Sequence, residues 1–158
     1  MPLIRSKREG GQRVAGYTLL EVMVALVIFS IGLLGLAGLQ SQSLRYNHSA
    51  YLQTQASYLA YDILDRMRAN RQTALDGGYN ATDTNMGSDK SCNTTSTSCS
   101  TGDMALHDIY EWKTLLGDML PEGTGAVDQN GDVFTISIEW EDPGTPDDKN
   151  QYQLRSRI

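Results

Sequence analysis

The sequence predicts an α+β fold, in which a long N-terminal α-helix packs by its C-terminal half on a small antiparallel β-sheet with one additional helix. The first observation is a run without a charged residue, which extends from Val22 to Leu39. The second is helical periodicity that continues from this run to residue 75 without an interrupting proline. The third is the alternation of apolar and polar residues near the C-terminus, which is typical of half-buried strands.

Charge is distributed unevenly along the chain. The 158 residues have a formal net charge of -6, yet residues 1–16 contain four basic residues and one acidic residue. Proteins that cover nucleic-acid backbones need clustered cationic charge over a broad surface, which the remaining acidic chain does not offer. The composition therefore excludes a basic DNA-coating protein and argues against nucleic acid as a partner.

The apolar run is long enough to cross a membrane as a helix. All four basic residues of the N-terminal segment precede it, so the positive-inside rule keeps that segment in the cytosol and predicts an extracytosolic C-terminal domain. A cleaved secretory signal is the alternative, but its apolar core is shorter, and Leu36-Ala37-Gly38 is a poor cleavage site. We therefore expect residues 17–40 to form the transmembrane half of the long helix.

One carboxylate, Glu21, stands at the start of this apolar helix. A carboxylate in the middle of a bilayer costs on the order of 2.5 to 3.5 kcal/mol, so it indicates a function that involves a cationic partner. The alternative is that Glu21 lies at the membrane surface and extends its carboxylate into water. The residues that lead to it are Gly16-Tyr17-Thr18-Leu19-Leu20-Glu21.

These six residues resemble the class III signal of type IV prepilins and type II secretion pseudopilins. The family pattern is a short basic leader that ends in Gly, followed by an aromatic residue, Thr or Ser, two apolar residues and Glu. The resemblance implies a pilin-like fold and removal of residues 1–16 as a leader peptide. It also implies that a prepilin peptidase cuts between Gly16 and Tyr17 and methylates the new Tyr17 amine. Glu21 would then neutralise the N-terminal amine of a neighbouring subunit.

The similarity extends over roughly residues 10–80 and includes the segment Asp65 to Arg71, DRMRANR. There the chain resembles minor pilins of the type IV pilus. This implies a single-pass inner-membrane protein with a periplasmic C-terminal domain that later enters the pilus at the cell surface. It also implies contacts with other minor pilins, the major pilin and the inner-membrane assembly platform. The implied role is priming of pilus polymerisation in support of twitching motility and adhesion. The alternatives are a type II secretion pseudopilin and a tip-located module that binds a ligand or DNA.

The second half of the long helix, predicted over residues 41–75, is amphipathic. Asp62 with Arg66 and Asp65 with Arg68 have the spacing of ion pairs within one helix. We expect the arginines here to be solvated and favoured by the helix dipole. The apolar stripe repeats at steps of three and four residues and comprises Leu52, Ala56, Leu59, Ile63 and Met67.

Residues 76–102 are rich in Gly, Asn, Asp, Ser and Thr and predict an exposed loop. The loop contains both cysteines, Cys92 and Cys99, which lack the histidine neighbours of a four-ligand zinc site. Because the domain is expected outside the cytosol, we expect a disulfide, with free thiols as the alternative. The resemblance would place the disulfide of a major pilin near the C-terminus, so a central pair supports a minor subunit.

Residues 103–158 predict a helix followed by an antiparallel meander. We expect Asp103 to cap the helix, and Pro121 with Gly123 to end it. Asn130-Gly131 predicts a two-residue hairpin turn between the first two strands. The helix stripe consists of Ala105, Ile109, Trp112, Leu116 and Met119, and the strands are expected at residues 124–127, 134–140 and 152–158.

No catalytic or cofactor-binding pattern is recognisable in the sequence. His48 and His107 have no nucleophile motif near them, so we expect ordinary surface or packing histidines. Residues 128–132 superficially resemble the start of a calcium loop, but Val133 occupies the position at which such a loop needs Gly. We therefore expect a protein that is not an enzyme and that has neither cofactor nor metal.

Overall fold

The computed structural model describes residues 16–94, 98–142 and 149–158. It contains a long helix, a second long helix after a loop, and a three-stranded antiparallel sheet of order β1-β2-β3, which confirms the predicted fold class. The elements are α1 (Leu19–Ala69), α2 (Arg71–Leu75), α3 (Thr101–Met119), β1 (Thr124–Asn130), β2 (Val133–Glu141) and β3 (Lys149–Arg157).

The described residues fall into two units, one that ends at residue 42 and one that begins at residue 43. In the first unit every described residue is exposed. The helix that begins there is long and apolar enough, by length and composition, to cross a membrane.

The second unit has one hydrophobic core, to which α1, α3 and the sheet all contribute. All five residues of the predicted apolar stripe of α1 are buried. The indole N–H of Trp112 on α3 donates a hydrogen bond to the carbonyl of Leu59 on α1, at 3.0 Å. On β1, a Cβ at Gly125 would lie only 2.7 Å from Trp112 and 2.8 Å from Leu116, so glycine allows the strand to approach α3 closely.

The first hairpin turn lies one residue later than the sequence predicts. Asn130 pairs with Val133, so the two loop residues are Gly131 and Asp132 rather than Asn130 and Gly131. Gly131 has φ +60, and glycine at the first position of a two-residue turn adopts this conformation without strain. The buried face of β2 alternates as predicted, with Phe134, Ile136, Ile138 and Trp140 in the core.

Helix α3 begins at Thr101, so the prediction that it begins at Asp103 with that residue as its cap was wrong. Ser100 is the N-cap, and its hydroxyl accepts the N–H of Asp103 at 3.1 Å. The Asp103 carboxylate in turn accepts the N–H of Ser100 at 3.4 Å, which completes a capping box. The hydrogen bond from the Ser100 hydroxyl lowers the pKa of Asp103. A capping box usually has Glu or Gln at the third helical position, whereas this one has Asp103, so the sequence did not match the usual pattern.

The segment before α3 is not exposed throughout, contrary to prediction. Tyr79 is fully buried, and Ala81 is buried and forms an isolated β-bridge with Val127 of β1. The polar composition of the segment conceals these two buried residues. The loop is therefore fastened to the core at its start, and residues 143–148 of the predicted turn between β2 and β3 lie outside the described residues.

Candidate functional site

The residues of the predicted processing signal lie together at the start of α1. Gly16 and Tyr17 are exposed and precede the helix, and Tyr17 is 84% exposed. The peptide bond between them therefore lies in non-helical backbone. Glu21 is also exposed and lies in the first turn of the helix.

Thr18 caps this helix, a role that the sequence reasoning missed. Its hydroxyl oxygen accepts the N–H of Glu21 at 3.3 Å, and its carbonyl accepts the N–H of Val22 at 3.3 Å. The sequence does contain a signal for this cap, because Thr18 and Glu21 have the Thr-x-x-Glu spacing of a capping box. Glu21 thus occupies the third helical position, where the helix dipole favours a negative charge.

The start of α1 therefore favours negative charge over positive charge. A cation at the N-terminus of a helix is opposed by the helix dipole, and an apolar environment increases that cost. A carboxylate nearby offsets the cost, and Glu21 is the acidic residue in this part of the described chain.

The helix from Leu19 to Leu39 presents an extensive apolar surface. Large apolar side chains that are 49% to 78% exposed surround it on all sides. An exposed apolar surface of this size marks a site of contact with a membrane or with other proteins. The exposed side chains are Leu19, Leu20, Val22, Met23, Val24, Leu26, Val27, Ile28, Phe29, Ile31, Leu33, Leu34, Leu36 and Leu39.

A polar cluster around Arg66 joins α1 to α3 in the second unit. The predicted pair of Arg66 with Asp62 is present at 3.0 Å. Arg66 also contacts Asp108 at 3.3 Å and Glu111 at 2.7 Å, and its side chain is only 24% exposed. The prediction of a solvated arginine is therefore wrong at this position, whereas Arg68, paired with Asp65 at 2.9 Å, is exposed as expected.

The pKa values in this cluster follow from its contacts. The hydrogen bond from Arg66 lowers the pKa of Glu111. Burial by itself lowers the pKa of Arg66, but the hydrogen bond with Glu111 and the charges of Asp62 and Asp108 outweigh it, so the pKa is raised. The sequence reasoning missed Asp108 and Glu111 because they follow Arg66 by more than forty residues.

The cluster continues through the loop to the start of α3. Tyr79 donates its hydroxyl proton to Asp108, and burial, followed by this hydrogen bond, raises the pKa of Tyr79. Asn70, just after α1, donates to the Tyr79 oxygen at 3.3 Å and to the carbonyl of Thr101 at 2.7 Å. A cleft of about 370 Å³ adjoins these residues. Its polar groups bond to one another, which indicates a structural junction.

Cys92 and Cys99 form a disulfide in the structure, with their Cα atoms 5.8 Å apart. The second cysteine immediately precedes Ser100, the cap of α3. Lys90 in the same loop contacts Asp103 at 3.7 Å. The disulfide therefore closes a loop whose end is fixed to the beginning of α3.

The two histidines differ in their surroundings. His48 is exposed on α1, whereas the side chain of His107 is 5% exposed. The His107 Nδ1 lies 3.3 Å from the Asp89 carboxylate, and its Nε2 lies 3.3 Å from the Glu111 carboxylate, although neither contact has hydrogen-bond geometry. His107, on α3, thus packs against the loop segment that contains Asp89.

Lys113 is a buried cation that the sequence reasoning did not single out. Its ammonium donates to the carbonyls of Thr82 at 2.8 Å and Asp83 at 3.3 Å, and to the carbonyl of Gly125. Burial lowers its pKa. Lys113 therefore holds the loop and β1 against α3.

The residues that resemble a calcium loop do not come together. Asp128 pairs with Thr135, whereas Glu139 pairs with Thr124, so the two carboxylates belong to opposite ends of the β1–β2 hairpin. Within the described ranges, no group of three or more His, Cys, Asp or Glu side chains is placed to hold a metal ion.

Comparison with protein families gives two adjacent matches. Residues 11–37 match the prokaryotic N-terminal methylation motif. Residues 38–110 match the Tt1218-like family, described as type IV pilin Tt1218. Comparisons with curated proteins and with solved structures gave no significant match. The two matches and the pilin-like fold support a type IV pilin that carries an N-terminal methylation motif.

Proposed function

We propose that the chain is a minor pilin of the kind called PilV, the type IV pilus modification protein, and that it takes part in pilus assembly. The observation that carries the proposal is the succession of a methylation motif over residues 11–37 and a type IV pilin match over residues 38–110. The first of these two segments includes most of the exposed apolar part of α1. Pilins are structural proteins, and we propose no enzymatic activity for this chain.

The first step is processing of the N-terminus. A prepilin peptidase cuts the bond between Gly16 and Tyr17 and methylates the amine of Tyr17. The exposure of both residues and their position before α1 support this step, since a peptidase needs access to non-helical backbone. Loss of residues 1–16 removes all four basic residues that precede the apolar run.

The second step is docking into the growing filament. The carboxylate of Glu21 pairs with the N-terminal amine of a neighbouring subunit. The pairing offsets the cost of both charges in an apolar environment. It also lowers the energy of the subunit at the one axial position in the filament where the two charges meet. The exposed apolar surface of α1 supports this step, because lipid contacts can be exchanged for contacts with neighbouring helices.

The basic segment before the apolar helix supports a location in the inner membrane with the second unit in the periplasm. Assembly then transfers the subunit to the pilus. In this proposal it forms a priming complex with other minor pilins on the inner-membrane platform and supports twitching motility and adhesion. The segment Asp65 to Arg71 and the central position of Cys92 and Cys99 favour a minor pilin over a major one.

A type II secretion pseudopilin is the second candidate, because the methylation motif is common to both systems. Deletion of the chain, scored for surface pili and for protein secretion in the same cells, separates the two. The proposal predicts loss or reduction of pili with normal secretion. Normal pili with impaired secretion would establish the pseudopilin instead.

The role of Glu21 is tested by Glu21→Gln, which keeps the shape of the side chain but removes its charge. We expect normal cleavage at Gly16 and at least tenfold less of the variant in sheared pili. Glu122→Gln, which changes an exposed carboxylate after α3, serves as the control and should incorporate normally. Normal incorporation of Glu21→Gln would contradict the proposed docking step.

A further inference from the structure

Strand β3 is a free edge of the sheet. It pairs with β2 on one side, and no other strand among the described residues pairs with its second side. The opposite edge strand, β1, forms a bridge with Ala81. In an edge strand of nine residues, about half of the backbone N–H and C=O groups point outward and remain available to another strand.

The charge of β3 is opposite to that of the unit that contains it. Residues 43–158 include nine Lys or Arg and seventeen Asp or Glu. Strand β3 contains Lys149, Arg155 and Arg157 and no acidic residue. Both arginines are exposed, and neither forms an ion pair within the part of the chain that the structure describes. By contrast, Arg66 is paired and Lys113 is buried.

We propose that the free edge of β3 binds an extended acidic segment of another protein, which adds to the sheet as a fourth strand. The backbone groups of β3 would provide affinity, and its cationic side chains would select acidic partners. This proposal does not depend on the assignment to a pilus.

A second copy of β3 is a poor occupant of this edge. In an antiparallel pair of two copies centred on Gln153, Lys149 of one copy stands opposite Arg157 of the other. The same register places Gln151 opposite Arg155, so no cation faces an anion. Like charges opposite each other destabilise a strand pair, which disfavours self-association through β3.

Nucleic acid is also a poor occupant, because the cationic strip is only one strand wide. On the same sheet face, Glu141 of β2 pairs with Lys149, and Glu139 pairs with Gln151. Farther across the sheet, Asp128 of β1 is exposed. A phosphate backbone would meet these carboxylates, whereas a single extended peptide would meet only β3.

The test uses the full chain in detergent micelles and a nine-residue peptide of alternating Thr and Glu. We expect the peptide to bind and to slow hydrogen exchange in residues 149–158. The same peptide with Lys in place of Glu should bind at least tenfold more weakly. Equal binding of both peptides, or binding of neither, would overturn the proposal.

Backbone pairing is tested by methylating alternate amide nitrogens of the acidic peptide, in two versions that block opposite edges. Strand addition predicts that one version binds and the other does not. If both bind equally, only charge attraction is present and strand addition is wrong.

On the protein side, Arg155→Glu should weaken binding of the acidic peptide at least fivefold. Arg45→Glu, which makes the same charge change at an exposed position on α1, should leave binding within twofold. Equal effects of the two variants would contradict a site on β3. Preferential binding of duplex DNA would overturn the proposal and indicate a nucleic-acid site at β3. A dimer that Arg155→Glu abolishes would overturn it and indicate that β3 pairs with a second copy of itself.

Discussion

The two units of the chain differ in the exposure of their apolar side chains. In residues 16–42 every side chain is exposed although most are apolar. In residues 43–158 a core contains apolar side chains from α1, α3 and the sheet. Among the described residues of the first region the apolar surface is exposed, so its sequence suits lipid or neighbouring helices. The second region buries its apolar side chains in its own core. We therefore expect substitutions in the second region to change stability, and substitutions in the first region to change assembly.

The largest expected effect is that of Trp112→Ala. The indole is fully buried and donates to Leu59, so its loss should lower the free energy of unfolding by about 3 to 5 kcal/mol. Leu33→Ala, in the exposed apolar helix, should change it by less than about 0.5 kcal/mol. Thermal or denaturant unfolding in detergent, followed by near-ultraviolet circular dichroism, gives both values. Similar losses in the two variants would contradict the distinction between the regions.

Removal of the disulfide should have the next largest effect. Replacement of Cys92 and Cys99 by Ser releases a short loop, which the chain-entropy model values at about 2 to 3 kcal/mol. The loss should appear as a lower denaturant midpoint. Addition of a reductant should reproduce it in the wild-type protein and should not affect the double variant. A further decrease in the double variant on reduction would show that the effect does not come from this bond.

Lys113→Met should destabilise the second unit by about 2 kcal/mol. The substitution keeps most of the volume but leaves the carbonyls of Thr82, Asp83 and Gly125 without their buried donor. Lys90→Met, at a partly exposed lysine, is the control and should cost less than about 1 kcal/mol. Hydrogen exchange should also rise in residues 80–85 of the Lys113 variant. Unchanged exchange there would contradict the proposed fastening of the loop.

The smallest expected effect is the pH dependence from Glu111. Its pKa in the folded protein lies below the ordinary value of 4.5, so its stabilisation is present above pH 4.5 and is lost as pH falls through the folded pKa. Because the carboxylate is about one third exposed, we expect about 1 kcal/mol at pH 7. Glu111→Gln should remove this component, and its stability should therefore fall less between pH 6 and pH 3. Identical pH profiles for variant and wild type would exclude a contribution from this pair.

The sequence predicted what depends on local pattern. The stripe from Leu52 to Met67, the alternation of β2 and the pair of Asp62 with Arg66 each follow from spacing within one element, and each is confirmed. These features repeat with the period of their own backbone, so no distant residue is needed to establish them.

The missed features depend on contacts between distant segments. The burial of Tyr79 and the placement of Asp108 beside Arg66 arise only when the loop and α3 pack on α1. The misplaced start of α3 has a different cause, because Ser100 and Asp103 are both good caps and only the backbone shows which residue caps the helix. When several residues that can cap a helix are close together, the sequence pattern alone does not show which of them is the N-cap.

The most direct test of the proposed processing is the mass of the N-terminal peptide of the chain isolated from membranes of cells that make pili. We expect a chain that begins at Tyr17 and carries one methyl group on its amine, with residues 1–16 absent. An intact Met1, or a cut near Leu39, would contradict it.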